Sequence, residues 1–214
     1  LYAEMGATER SLTQIKRVQQ LAEDGIEHWL AWPLGLEVQL LQKLGRTSEA
    51  AAVVDRIDHS LDSNKGGSYL PYVGVSVGLA RSYLAIGSGE VENALVEAGE
   101  LLAYVRRSRL DTFLPAACTL MAHCLSLLGR TAEAEEHLLE ACRVAKAIGS
   151  KRSLWHALAA LAHLEAGRGN AAAAQSLRSE AAAIVEFITA NISDPELRAS
   201  FLDQEEVREL FEPQ

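Results

Sequence analysis

An eight-residue stretch occurs twice in this chain, as KLGRTSEA at 43–50 and as LLGRTAEA at 127–134. Each copy reads as the end of one helix and the start of the next. Glycine suits the left-handed position just past a helix C-terminus, because it has no Cβ to clash there. Thr47 and Thr131 follow two residues later, where a hydroxyl accepts a backbone N–H at a helix start. Glu49 and Glu133 fall in the first turn, where the helix dipole favours negative charge. Ala50 and Ala134 leave room for two helices to pack closely. A chain built on this stretch is a chain of helical hairpins.

Glycine spacing extends the repeat. Gly6, Gly45, Gly87, Gly129 and Gly167 lie 39, 42, 42 and 38 residues apart. Gly25, Gly66 and Gly149 fall near the other turn of each unit. A period near forty with two helices per unit is a solenoid pattern. The expected units are about 1–26 (partial), 27–66, 67–110, 111–150 and 151–192, with 193–214 as a cap, all in a single domain. Residues 1–26 hold the tail of one helix and the whole of a second, whose stripe is Leu12, Ile15, Val18 and Leu21. The next helix runs from about His28 to Leu44. It is apolar on two sides, as a helix packed on two sides must be. Pro33 makes it start near Leu30 or kink there.

Two other segments carry the pattern with more strain. YVGVSVG, within 69–86, alternates like a strand and is poor in helix formers. It nevertheless fills the slot of a first helix and has no partner strand, so a helix is expected, with Gly74 and Gly78 on one face allowing a close crossing. Asp194-Pro195-Glu196 reads as cap, proline and acid at a helix start. Beyond it, Leu197, Phe201, Val207, Leu210 and Phe211 are placed to cover the open end of the stack.

Composition excludes several classes of function. The net charge of −9 and pI near 5.2 argue against general binding to nucleic acid or anionic membrane. No run approaches the ~20 apolar residues of a membrane span, and no signal peptide is found. Three cysteines without regular spacing make a disulfide framework unexpected and a reducing cytoplasm the default. The chain begins with Leu rather than Met, as expected of a piece of a longer protein.

Few residues suggest chemistry. Cys118, His123, Cys124, His137 and Cys142 do not fall at the i,i+3 or i,i+4 spacing by which one helix holds a metal, so burial is the preferred reading and no metal ligand is assigned. His156 and His163 share a face but lie too far apart for one ion. GSG at 87–89 and GRG at 167–169 neither follow strands nor continue as phosphate loops. Arg106, Arg107 and Arg109 offset a helix dipole, and Glu133, Glu135, Glu136 and Glu140 form a solvated helix face. No catalytic residue and no cofactor-binding residue is assigned. The aromatic cluster HWLAW at 28–32 has two readings. Large apolar stripes are usually core, while tryptophans on the first helix of a hairpin line the groove by which such arrays grip partners. Trp29, Trp32, Tyr69, Tyr72 and Trp155 are the candidate groove residues.

HWLAWPLGLEVQLLQKLGRTSEA resembles the C-terminal tetratricopeptide-like region of large bacterial signalling ATPases, in which a WLAW helix precedes an LGR turn and an EA helix. DPELRASFLDQEEVREL is similar to the terminal segment of the same family. Members join an ATPase core and a helical array to a cyclase-type, kinase or DNA-binding regulator domain. No cyclase, ATPase or DNA-binding signature lies within these residues, so the resemblance carries over no catalytic residue. It implies a regulatory helical array attached to an effector.

The expected fold is therefore all-α, a right-handed α-solenoid of tetratricopeptide-like helical hairpins with a C-terminal capping helix. Its period near forty exceeds the ~34 residues of the standard unit. The expected function is a non-catalytic, cytoplasmic scaffold that binds a protein or peptide, or other domains of its own parent chain, without nucleic acid or membrane. The alternative is a small-molecule or peptide sensor of a transcriptional regulator, marked by an enclosed polar pocket. An enzyme is the weaker third.

Overall fold

The computed structural model describes residues 3, 5–23, 31–63 and 71–211. Among them are eleven helices and no strand: α1 Thr8–Glu23, α2 Ala31–Lys43, α3 Thr47–Ser63, α4 Pro71–Gly87, α5 Val91–Arg107, α6 Leu114–Leu127, α7 Thr131–Ala147, α8 Lys151–Gly167, α9 Ala171–Ala190, α10 Pro195–Leu202 and α11 Glu205–Phe211. The strand-like segment is helical, as α4. The all-α architecture of packed hairpins is the one the repeat predicts.

One turn recurs between six pairs of described helices. In the α6–α7 turn the Gly129 N–H donates to Ser126 O and the Arg130 N–H to Leu125 O, at 3.0 and 2.9 Å. This is the paired closure of a left-handed helix end. The same two bonds recur at Gly45, Gly89, Gly149 and Gly169, all at positive φ, and at Arg109, whose φ is 53°. The left-handed residues at the third and fifth expected turns are thus Gly89 and Gly169, not Gly87 and Gly167, which are the last residues of α4 and α8. Gly87 serves another purpose: a Cβ there would collide with the side chain of Gln42 on α2.

The threonines are not the caps either. Arg130 occupies the N-cap of α7 and no side chain caps it; Thr131 is the first helical residue. The side chain that organises this start is Arg130 itself, through Glu133.

The chain divides into two compact units, Thr8–Leu110 and Asp111–Gln214, the second including Leu1–Ala7. The core of the first is made by Leu34, Val38 and Leu41 of α2, Ala50, Val53, Val54 and Ile57 of α3, and Val73, Val77 and Ala80 of α4. Each large side chain buried this way contributes roughly 1.5–3 kcal/mol. Helix α1 presents a different face from the one expected. Leu12 and Ile15 are buried, but Val18 and Leu21 are exposed, and the polar Gln19 is buried in their place. Gln19 Nε2 donates to Glu37 Oε2 at 2.7 Å, and Arg56 lies 3.8 Å from the same oxygen. A buried carboxylate must be partnered, and that requirement sets the rotation of α1.

Glycines bring α4 close to its neighbours. A Cβ on Gly74 would meet the Tyr104 ring at 2.7 Å and one on Gly78 would meet Leu101 Cδ1 at 2.9 Å, both on α5. On the other side, a Cβ on Gly35 of α2 would meet the Ser76 carbonyl oxygen at 2.8 Å.

In the second unit, hairpins α6–α7 and α8–α9 pack through small residues: Ala134, Ala141 and Ala145 of α7, and Ala157 and Ala162 of α8, are all buried. The cap forms as expected. Asp194 Oδ1 accepts from the N–H groups of Glu196 and Leu197, at 2.9 and 3.1 Å, and Pro195 opens α10. Leu197, Phe201, Val207 and Leu210 are buried, while Phe211 is about half exposed. Described residues before Thr8 form a turn rather than a helix tail. Gly6 lies so close to the cap that a Cβ would meet Ser200 O at 2.6 Å.

Candidate partner-binding face

Helices α2 and α4 lie side by side and run in the same direction. Trp32 and Gly35 of α2 meet Ser76 of α4, and ten residues after Trp32 the Gln42 side chain meets Gly87, eleven residues after Ser76. The Ser76 hydroxyl donates to the Trp32 carbonyl at 3.0 Å, fixing the first turn of α2 against α4. Trp32 stands one turn before Gly35, and Tyr72 one turn before Ser76. Both rings therefore sit at the same end of this crossing, 41% and 54% exposed. Tyr83, eleven residues beyond Tyr72 and so on the same face of α4, is also exposed. The sequence reasoning overlooked Tyr83, although its three-turn spacing from Tyr72 was there to be read.

Arg81 lies on the opposite side of α4, nine residues beyond Tyr72. Arg81 Nη2 bonds Asp58 Oδ1 at 2.6 Å, which holds the guanidinium more firmly protonated. Partial burial raises the Glu97 carboxyl above its usual range, with Arg81 pulling the other way.

The remaining candidate groove residues fare differently. Trp29 and Tyr69 lie outside the described residues. Trp155 is 2% exposed, stacked on His156 and meeting the edge of Phe201 with ring centroids 6.4 Å apart. It is a core residue beneath the cap, so it offers no surface to a partner. Helical periodicity marks an apolar side chain but not which neighbour covers it.

The metal candidates also separate. Cys118 of α6 and His137 of α7 come together with Glu140, their ligand atoms all within 4.8 Å of one another. His123 and His163 are exposed, and His156 Nδ1 lies 3.6 Å from Glu206. Cys124 and Cys142 are core thiols; burial pushes Cys124 up to about 11 and raises Cys142 as well. The expected solvated acidic face is partly engaged. Glu133 pairs with Arg130, Glu135 bonds Arg168 at 2.6 Å, and Glu140 is half-buried. Arg106 and Arg107 close α5 as dipole-offsetting cations.

Two depressions in the second unit are shallow and open. One of about 490 Å³ is lined by Glu186, Thr189, Ala190, Arg198, Leu202 and Phe211. One of about 300 Å³ lies between Glu135, Glu165 and Leu177. Among the described residues no helix is long and apolar enough to cross a membrane.

The arrangement of these helices is shared with solved structures. BtubC (BKLC) from P. vanneervenii is similar with a TM-score of 0.66 at 16% identity, over 98% of this chain and 82% of that one. The tetratricopeptide-repeat sensor protein PH0952 of Pyrococcus horikoshii, a signal transduction ATPase with numerous domains, is similar with a TM-score of 0.65 at 15% identity, over 94% of this chain and 32% of that one. The fold is tetratricopeptide-like. The apo form of RapI shares it, with a TM-score of 0.58 at 16% identity over 95% of this chain and 57% of that one. At these identities the likeness is one of fold. No protein-family model matches the sequence, and no curated protein matches it. The tetratricopeptide-like fold accounts for the repeated turn, the two-sided inner helices and the alanine-rich outer ones.

Proposed function

We propose that this chain is a non-catalytic helical-repeat scaffold that binds a protein or peptide partner, or another domain of its own parent protein. The observation that carries the proposal is the pair of exposed aromatic rings, Trp32 and Tyr72, held on neighbouring parallel helices by the Ser76–Trp32 hydrogen bond. Aromatic side chains on a rigid backbone are the usual anchors of protein interfaces. Shallow, open depressions favour a macromolecular partner over a small molecule, which binds in enclosed pockets.

The sequence resemblance to signalling ATPases and the likeness to the PH0952 protein, described as carrying a tetratricopeptide-repeat sensor, support a regulatory setting. The parent would then be a bacterial, cytoplasmic signalling protein, with the repeats of 1–214 acting as one array. Selection of a displayed peptide library against the chain tests the binding reading, with the Trp32→Ala/Tyr72→Ala double variant as counter-screen. Peptides that bind the chain and lose at least tenfold in affinity to the double variant are expected. Selected peptides that bind both equally would refute the assignment of the face. ATP or cyclase turnover by the purified chain, surviving further purification, would refute the non-catalytic reading.

A further inference from the structure

We propose that Cys118, His137 and Glu140 form a binding site for one divalent metal ion of zinc type within the α6–α7 hairpin. The three ligand atoms, a thiol sulfur, an imidazole nitrogen and a carboxylate oxygen, all lie within 4.8 Å of one another. A tetrahedral zinc ion with bonds of about 2.0–2.3 Å holds its ligands roughly 3.3–3.8 Å apart. Closing the gap asks for side-chain adjustments of about an ångström or less and no helix movement.

Two helices contribute. His137 and Glu140 stand at i,i+3 on α7, so they share a face, and Cys118 faces them from α6. The turn at Gly129 sets the register: Cys118 lies eleven residues before it and Glu140 eleven after. In an antiparallel hairpin such equidistant positions are opposite one another. The spacing test missed the site because Glu140 was read with the acidic face of α7 and the third ligand, Cys118, lies across the turn. Pairs of ligands from one helix completed by a residue of a facing helix are a recurrent way of building metal sites in helical folds.

The ligand chemistry selects the metal. Thiolate and imidazole favour zinc and its analogues over magnesium or calcium, which prefer all-oxygen shells. Thiolate and carboxylate together neutralise the double positive charge. Binding displaces the Cys118 thiol proton to solvent, because only the thiolate ligates. Cys118 is 0% exposed, while His137 and Glu140 are half-buried. The fourth tetrahedral position therefore points toward the accessible side, where water or a partner's side chain completes the shell. The effect on the fold is a clamp between α6 and α7. Cys124 and Cys142 join no such group among the described residues.

Cobalt titration of the reduced, metal-free chain tests the assignment. One equivalent of Co²⁺ is expected to give a near-ultraviolet thiolate-to-cobalt band with visible tetrahedral bands, all abolished by an equivalent of Zn²⁺. Cys118→Ala should remove the thiolate band, whereas Cys142→Ala should keep it. The half-buried His137→Gln and Glu140→Gln variants guard against a Cys118 variant that fails to fold. Each should stay helical by circular dichroism and bind cobalt at least about tenfold more weakly. A folded chain that shows no thiolate band at excess cobalt overturns the proposal. So does a band that both half-buried variants leave at full affinity.

Discussion

Arg130 grips Glu133 with one edge of its guanidinium, Nε donating to Oε1 and Nη2 to Oε2, both at 2.7 Å. Arg46 grips Glu49 in the same way at 2.6 and 2.7 Å. The repeated stretch thus encodes a two-part device. Its glycine supplies the left-handed residue that ends one helix, and its arginine, just before the first residue of the next, reaches forward three residues to an acid in the first turn. The charged letters of the repeat are an ion pair, and the threonine between them opens the helix without capping it.

The pair should be visible in titration. The hydrogen bond from Arg130 holds the Glu133 carboxyl below its ordinary value. The stability linked to a depressed carboxyl is present above the unfolded value and is lost as pH falls through the folded one. NMR titration of Glu133 should show the depressed value and its return to the ordinary range in Arg130→Gln. Any difference in thermal midpoint between the two proteins should close on acidification. The exposed pair adds little stability, so an undisplaced Glu133 titration is the result that would contradict the pairing.

Glycine substitutions should split by sign according to surroundings. At Gly129 a Cβ meets nothing within 4 Å, so Gly129→Val pays only the left-handed backbone penalty, about 1 kcal/mol or more. Arg109→Gly relieves the same strain and should stabilise by up to about 1 kcal/mol. Gly35→Ala drives a methyl into the Ser76 backbone and should destabilise by about 1–3 kcal/mol. Gly99→Ala, mid-helix with open space around it, should stabilise by about 0.5–1 kcal/mol. Denaturant midpoints decide each one, and a destabilised Gly99→Ala would show crowding there.

These contrasts mark what the sequence made legible. Helix positions were readable because Gly, Pro and the repeated stretch punctuate the chain; the strand-like segment within 69–86 is helical, and Pro195 opens α10 as Asp194-Pro195-Glu196 predicts. The choice between Gly87 and Gly89 was not, since both lie in one turn and only the helix length decides which is left-handed. The rotation of α1 was hidden because it depends on Glu37, a buried acid that seeks Gln19. Trp155 looked like a groove residue until Phe201 of the cap was seen to cover it. Cys118, His137 and Glu140 needed the hairpin register before they could be placed together.

Removal of the cap should be felt locally. Deleting 194–214 takes Leu197, Phe201, Val207 and Leu210 out of the second unit and uncovers Trp155. Burying one such side chain is worth roughly 1.5–3 kcal/mol, so the loss rivals the ~5–15 kcal/mol that stabilise a typical domain. Hydrogen exchange should rise in α9, the tryptophan emission should shift to the red, and the truncated chain should associate. Protection in 31–63 should persist, because repeats couple mainly to their neighbours. Unchanged protection of α9 would mean that the cap is dispensable.

The central claim is that the partner is met by Trp32 and Tyr72, and fluorine NMR of the 5-fluorotryptophan-labelled chain tests it most directly. The chain has three tryptophans, and Trp155, sealed under the cap, is the built-in control. Titration with a peptide selected for binding should shift or broaden the Trp32 resonance, assigned by Trp32→Phe, and leave that of Trp155 in place. A Trp32 resonance that stays still while the peptide saturates the chain would contradict the account.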